Sequence, residues 1–395
     1  MKMLLNPVRV ALMCSVVTAA VTAAAFVDTA AGRSVTVAAP SVVLRNAAAP
    51  GTIMPAAGLG TDFDFCENAS ASGNQSFAPS LQWLQLGGRR FDGALSYGCD
   101  KGVGEAIRAS GVSRRDVFVV SKIGPGGLPL PLGFNETLSQ AAQILNDLGS
   151  TYIDLLLVHE PFSYWPDPSG AAHATSTDPA CNLTNDHYSA RGCRLSTWRA
   201  MVELWRAGKV RSIGVSNYNS SHIEEIVAAQ LPLPAVNQIQ FSPHHGPTHA
   251  PCTCGHSTSR PTAACGSSAE EMHESCSALL SYLGARAIVA NGYSPFEGKA
   301  DGGSLLTEPA LLAIAAGHGV SASQVVLNWQ WQWHGVVVNP TATTAEYQRL
   351  NLDFDFFDLT KAEAEQLDTW PQNPPPTTPL ADEVRSHTDT PSHSH

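Results

Sequence analysis

The feature that most constrains this chain is a rhythm of short apolar runs separated by longer stretches with helical spacing. The runs lie at Ala57–Gly60, Arg90–Asp92, Val117–Ser121, Ile153–Val158, Ser212–Val215, Ala235–Ile239, Ala287–Ala290 and Gly335–Val338. Helix-period segments such as Leu138–Leu148, Thr197–Ala207 and Ser323–Gln332 fall between them. Strands alternating with helices predict a parallel sheet, since each crossover helix brings the chain back to start the next strand in the same direction. Eight such strands predict closure into an α/β fold, the (β/α)8 TIM barrel. Val117–Val120 and Leu155–Val158 are apolar throughout, as strands covered on both faces should be. The 395 residues leave room for one such barrel with insertions, and the 44% apolar content supplies its core.

Three stretches interrupt the rhythm. Asp62–Ser80 follows the first strand, Phe162–Arg194 the fourth and Ser242–Glu274 the sixth, and all are rich in Gly, Pro, Ser, Thr, Asn and Cys. Each leaves the C-terminal end of a strand. That face carries the active site in a barrel of this kind, so extended loops there are expected to shape access to it. The barrel is expected over residues 41–370, followed by a flexible tail over 371–395 rich in Pro, Ser, Thr and His.

The first residues obey another logic. Lys2 and Arg9 precede an apolar run from Val10 to Val27 that ends in small residues and Asp28. A basic start, apolar middle and small-residue exit predict a secretory signal peptide over 1–27, with a retained signal anchor as the alternative. Eight cysteines lie beyond it, an even number that suits disulfides in a secreted or lumenal protein. Asn68, Asn74, Asn135, Asn182 and Asn219 each begin an Asn-x-Ser/Thr triplet, so a glycoprotein is expected. Cys252, Cys254, His256, Cys265, His273 and Cys276 invite a zinc reading, but their spacings do not fit the common ligand patterns. No metal is expected. A net charge of −11 without a Lys/Arg run argues against nucleic acid as a partner.

From about Ser41 to Trp370 the chain resembles the aldo-keto reductase family, segment after segment in the family's order. The resemblance rests on Gly51-Thr-Ile-Met-Pro-Ala-Ala-Gly-Leu-Gly-Thr61, on Arg90-Phe-Asp92 with Tyr97 five residues beyond, and on Gly102-Val-Gly104. It continues through Ser121-Lys122, Asp154-Leu-Leu-Leu-Val-His159-Glu-Pro161, Gly208-Lys-Val-Arg-Ser-Ile-Gly-Val-Ser216-Asn217 and Val236-Asn-Gln238. It implies NAD(P)H-dependent reduction of aldehydes or ketones. Tyr97 would be the proton donor, Lys122 its tuner, Asp92 the anchor of Lys122, and His159 the group that orients the carbonyl. For the cofactor, NADPH or NADH, the resemblance carries over Ser216, Asn217 and Gln238 to the nicotinamide carboxamide and Tyr293 to its ring. Ser294 and Phe296 would lie along the pyrophosphate, and Asn351 would meet the adenine.

Strand position makes independent sense of the four catalytic candidates. Asp92, Lys122 and His159 end the second, third and fourth strands, and Tyr97 lies in the loop after the second, so all converge on one mouth. A free phenol is a poor acid at neutral pH, and a neighbouring ammonium held by a carboxylate favours its ionisation. Singly, each residue has a structural explanation; the set in order does not. His159, Phe162 and Trp165 are candidate substrate contacts, with Phe63 beside them, and a small carbonyl compound is the expected partner of a monomeric enzyme. There is no G-x-G-x-x-G fingerprint, which argues against a Rossmann domain.

Two departures from the resemblance stand out. Thr341 and Tyr347 occupy positions where members that prefer NADPH carry a Lys and an Arg for the 2′-phosphate, and Arg349 is displaced. A site without those cations should hold a dianion less tightly. Gly93 follows Asp92 where the family has Thr, which is expected to loosen the carboxylate slightly. Those lost cations, and the scarcity of cytosolic reductant outside the cytoplasm, sustain an alternative: a lumenal nucleotide-binding or regulatory barrel with little turnover. Asn219 lies so close to the presumed site that it is not expected to carry a glycan.

Overall fold

The computed structural model describes residues 26–27, 34–35, 40–47, 51–61, 66, 75–124, 132–161, 176–181, 191–249, 274–297 and 305–371. Eight parallel strands form one sheet: β1 (Leu59–Gly60), β2 (Arg90–Asp92), β3 (Phe118–Ile123), β4 (Ile153–Val158), β5 (Val210–Ser216), β6 (Val236–Gln240), β7 (Val289–Tyr293) and β8 (Val337–Asn339). They pair in chain order. The sheet then closes on itself: Ala57 bridges Val338, Gly58 N donates to Val338 O at 2.9 Å, and Val338 N donates to Ala56 O at 2.8 Å. This is the (β/α)8 barrel that the alternation predicts. Every residue of β3 and β4 is buried, which accounts for their uninterrupted apolar runs.

Helices lie between the strands. They are α1 (Phe77–Gln85), α2 (Asp100–Ser110), α3 (Phe134–Leu148), α4 (Arg191–Arg206), α5 (Ser220–Ala228) and α6 (Cys276–Ala285). After β7 come α7 (Pro309–His318) and α8 (Ala322–Asn328), and after β8 come α9 (Ala345–Leu352) and α10 (Lys361–Asp368). β2 and β4 match their expected bounds. β7 and β8 extend beyond theirs to Tyr293 and Asn339, because buried asparagines continue strands that sequence polarity would end.

An antiparallel hairpin of Ser41–Leu44 and Thr52–Pro55 covers one end of the barrel, with Leu44 and Met54 fully buried. The Asn46 side-chain amide donates to Pro234 O (3.1 Å), Arg286 O (3.2 Å) and Ala287 O (3.4 Å), which all precede strands β6 and β7. The hairpin therefore closes the N-terminal end. The C-terminal face lies at the opposite end.

Two disulfides join Cys66 to Cys99 and Cys181 to Cys193, and Cys276 is disulfide-bonded as well. The other residues of the zinc reading lie outside the described residues, as do the tail from residue 372 and nearly all of the leader, of which Phe26–Val27 pairs with Ser34–Val35. Among the described residues no single helix is long and apolar enough to cross a membrane.

Candidate active site

Asp92 ends β2, and in a strand its side chain shares a face with Arg90, toward the barrel axis. Lys122, near the end of β3, meets it there: Nζ donates to Asp92 Oδ1 at 2.7 Å and to Gly93 O at 2.8 Å. The two side chains are only 2% and 3% exposed. A buried ion pair is tolerable when its remaining hydrogen-bonding capacity is met. Here Asp92 Oδ2 accepts from Gln238 Nε2 at 2.8 Å and from Asn291 Nδ2 at 3.2 Å. The loosening expected from Gly93 is therefore opposed by three side chains that grip the carboxylate. Burial pulls the Lys122 ammonium down, but Asp92, with Tyr97 and Asp100 adding, more than offsets this and holds it above the usual lysine value. Lys122 is a cation at neutral pH.

Tyr97 closes a 3-10 turn, Leu95–Tyr97, immediately beyond β2. Its ring centre lies 5.1 Å from Lys122 Nζ, and its hydroxyl lies 3.3 Å from His159 Nε2. The two rings meet edge to face with centroids 5.5 Å apart. His159 follows β4 directly, is 8% exposed, and is tied back to β3 by its N–H to Ile123 O at 2.9 Å. All four catalytic candidates thus come together at the C-terminal mouth of the barrel. An ammonium beside the phenol ring favours the phenolate by direct Coulomb attraction.

The cofactor candidates line the adjoining wall. Ser216 ends β5 and its Oγ donates to Gln238 O at 3.1 Å. Asn217 stands in the left-handed region with φ 61°, and its Nδ2 donates to His159 O and to Ser216 Oγ, each at 3.1 Å. Tyr293 ends β7 and its hydroxyl donates to Asn217 Oδ1 at 2.9 Å. Ser294, with φ 47°, and Phe296 follow, both half-buried. Non-glycine residues with positive φ concentrate where function holds them. A nicotinamide carboxamide offers one acceptor and an NH2, and two buried amides with a hydroxyl are complementary to it. The residues present therefore fit the group. Asn351 is 2% exposed, whereas Thr341, Tyr347 and Arg349 are exposed on the same segment. The substrate candidates Phe63, Phe162 and Trp165 lie outside the described residues.

Sequence reading passed over two groups of residues here. One is a buried chain behind Asp92 formed by Arg90, Asn339 and Asn291. The other pins the loop after β7: Glu297 accepts from Ser242 Oγ at 2.9 Å and faces His244 Nδ1 at 2.6 Å, while His244 Nε2 lies 3.2 Å from Glu308. The available signal was a charged or amide residue inside an apolar strand, or a carboxylate in the loop that follows Phe296.

The model of the aldo/keto reductase family matches residues 70–251. The chain is 30% identical over 335 residues to an aldo-keto reductase of Mycolicibacterium vanbaalenii, covering 83% of this chain and 91% of that one. It is 29% identical over 338 residues to morphine 6-dehydrogenase of Pseudomonas putida, with 83% and 90% covered. Glyoxal reductase of Bacillus subtilis is 28% identical over 297 residues, with 75% and 84% covered. Among solved structures, an aldo-keto reductase of Bombyx mori in complex with NADP superposes with a TM-score of 0.61 at 24% identity, covering 85% of this chain and 94% of that one. That likeness bears on the barrel alone.

Proposed function

The chain belongs to the aldo-keto reductase family and is an NAD(P)H-dependent oxidoreductase that reduces aldehydes or ketones to alcohols, and we propose that Tyr97 delivers the proton in that reaction. One observation carries the proposal. Tyr97 is the only phenol that the described residues bring to both a buried ammonium and an imidazole at the C-terminal mouth.

The nicotinamide, when bound, supplies a hydride to the carbonyl carbon. Charge then develops on the carbonyl oxygen, which gains most from donors already fixed in place. His159 Nε2 and the Tyr97 hydroxyl, 3.3 Å apart, are such a pair for one oxygen lying against both. Tyr97 transfers its proton to that oxygen, and Lys122 stabilises the phenolate left behind. Asp92 keeps Lys122 in place. Ser216, Asn217 and Gln238 would hold the carboxamide, Tyr293 would lie against the ring, and Ser294 and Phe296 would follow the pyrophosphate. The neutral side chains of Thr341 and Tyr347 support weak discrimination between NADPH and NADH. A secretory location belongs to the same proposal, supported by the apolar leader and by two disulfides.

The test is nicotinamide oxidation with a nitrobenzaldehyde by the disulfide-bonded protein and its Tyr97→Phe variant. Loss of a general acid should lower turnover by at least about a hundredfold, while cofactor binding survives. A variant that turns over like the parent removes Tyr97 from the role.

A further inference from the structure

We propose that Arg90, acting through Asn339 and Asn291, is a positioning residue that holds and polarises Asp92 from inside the barrel, and so sets the acidity of the proton donor. The inference rests on the assignment of Tyr97 above. Arg90 precedes Asp92 by two residues in β2, so both side chains enter the barrel. Its guanidinium is wholly buried. Nη2 donates to Asn339 Oδ1 at 2.8 Å, Asn339 Nδ2 donates to Asn291 Oδ1 at 2.7 Å, and Asn291 Nδ2 donates to Asp92 Oδ2 at 3.2 Å. The chain has one possible direction. A guanidinium can only donate and a carboxylate can only accept, so turning either amide over would break a link. Every bond points toward Asp92, and a charge at the head of such a chain strengthens the bonds along it.

Stability alone does not ask for this arrangement. Burying a guanidinium is costly unless its donors are met, and Nε and Nη1 of Arg90 have no hydrogen-bond partner among the described residues. The barrel also leaves out a side chain to admit it. A Cβ on Gly58 would lie 2.6 Å from Arg90 Nε and 2.7 Å from Asn339 Oδ1. Arg90 does clamp the seam, donating to Ala56 O at 3.0 Å and Val338 O at 2.6 Å. Neither bond needs the two asparagines. Burial pulls the Arg90 pKa down to about 10, with Asp92 opposing, so the group stays cationic at neutral pH.

Among the described residues the charged groups around Asp92 are few. Lys122 faces it from β3 and Arg90 from its own strand, and Tyr97 and His159 lie beyond Lys122. Asp100 of α2 sits across β3 on Ser121, while β6, β7 and β8 present the neutral Gln238, Asn291 and Asn339. Removing the Arg90 cation therefore leaves the cluster more negative, which disfavours the phenolate and raises the pKa of Tyr97.

The experiment compares Arg90→Met, Arg90→Lys and Asn291→Leu with the parent, reading kcat, cofactor KM and the alkaline limb of the pH–rate profile. In parallel, the tyrosinate absorbance of each is titrated against its Tyr97→Phe double variant. Arg90→Met should lower kcat on the order of tenfold and move the limb and the Tyr97 titration up by about one pH unit. Arg90→Lys, which keeps the charge, should leave both near the parent values. Asn291→Leu, which cuts the chain without touching a charge, should lower kcat on the order of tenfold at unchanged cofactor KM. Unchanged kcat in Asn291→Leu, or an unmoved Tyr97 titration in Arg90→Met, overturns the proposal. A parent without turnover would instead refute the role of Tyr97, and the absorbance titration would still decide this inference.

Discussion

Asp100 offers the sharpest test of the electrostatics behind the site. It stands in the first turn of α2, 4% exposed, and accepts from Ser121 Oγ at 3.1 and 3.4 Å. Burial raises its pKa from 3.8 to about 7, with the Ser121 hydrogen bond and Lys122 opposing the rise and Asp147 adding to it. A folded-state pKa above the unfolded value means that the folded chain keeps a proton the unfolded chain has lost. Stability should therefore fall as pH rises from about 4 to about 7, by at most about 1.4 kcal/mol per unit, and level off above. The full span sums to roughly 4 kcal/mol as an upper value. Asp100→Asn is neutral at every pH and does not bear this cost. Urea unfolding of the disulfide-intact protein at about pH 5 and about pH 8 should show the variant gaining roughly 2–3 kcal/mol on the parent between the two. Parallel pH dependences would refute the reasoning, since a carboxyl that titrates alike in both states contributes nothing to the slope.

Two further outcomes follow from the site and its surface. NADPH and NADH should bind within about tenfold of one another, and Thr341→Lys should tighten NADPH alone by about tenfold, a charged hydrogen bond's worth; cofactor titration decides, and a parent that already prefers NADPH a hundredfold sinks the idea. Expressed through a eukaryotic secretory route, the chain should carry a glycan at Asn135, which is exposed on α3, and none at Asn219, which is 2% exposed and caps α5 through its side chain; peptide mass mapping reads both.

Much of this architecture was legible because it rests on local pattern. Apolar runs such as Ile153–Val158 report strands covered on both faces, and the catalytic candidates could be placed because they end consecutive strands. The strand ends were less legible where the barrel interior is polar. Asn291 and Asn339 resemble loop residues in sequence, yet both are buried and continue β7 and β8. Their partners lie across the barrel, with Arg90 separated from Asn339 by 249 positions, so no local window contains the reason for them. The same holds for His244 and Glu297, whose contact joins loops after different strands.

Strand geometry explains why such a tuning chain can arise behind one catalytic residue and leave the others alone. In a strand the side chain two positions before a site residue lies on the same face, one layer deeper in the barrel. Behind Lys122 that residue is Val120, behind His159 it is Leu157, and behind Gln238 it is Val236, all wholly buried and apolar. Behind Ser216 it is Gly214, where a Cβ would lie 2.6 Å from Leu157 Cδ2, so apolar packing fills that layer too. Only behind Asp92 and Tyr293 is the deeper residue polar, Arg90 and Asn291, and those two are joined through Asn339. A polar layer confined to β2, β7 and β8 acts on the one catalytic carboxylate. The ammonium and the imidazole keep apolar floors, and their properties are set at the mouth.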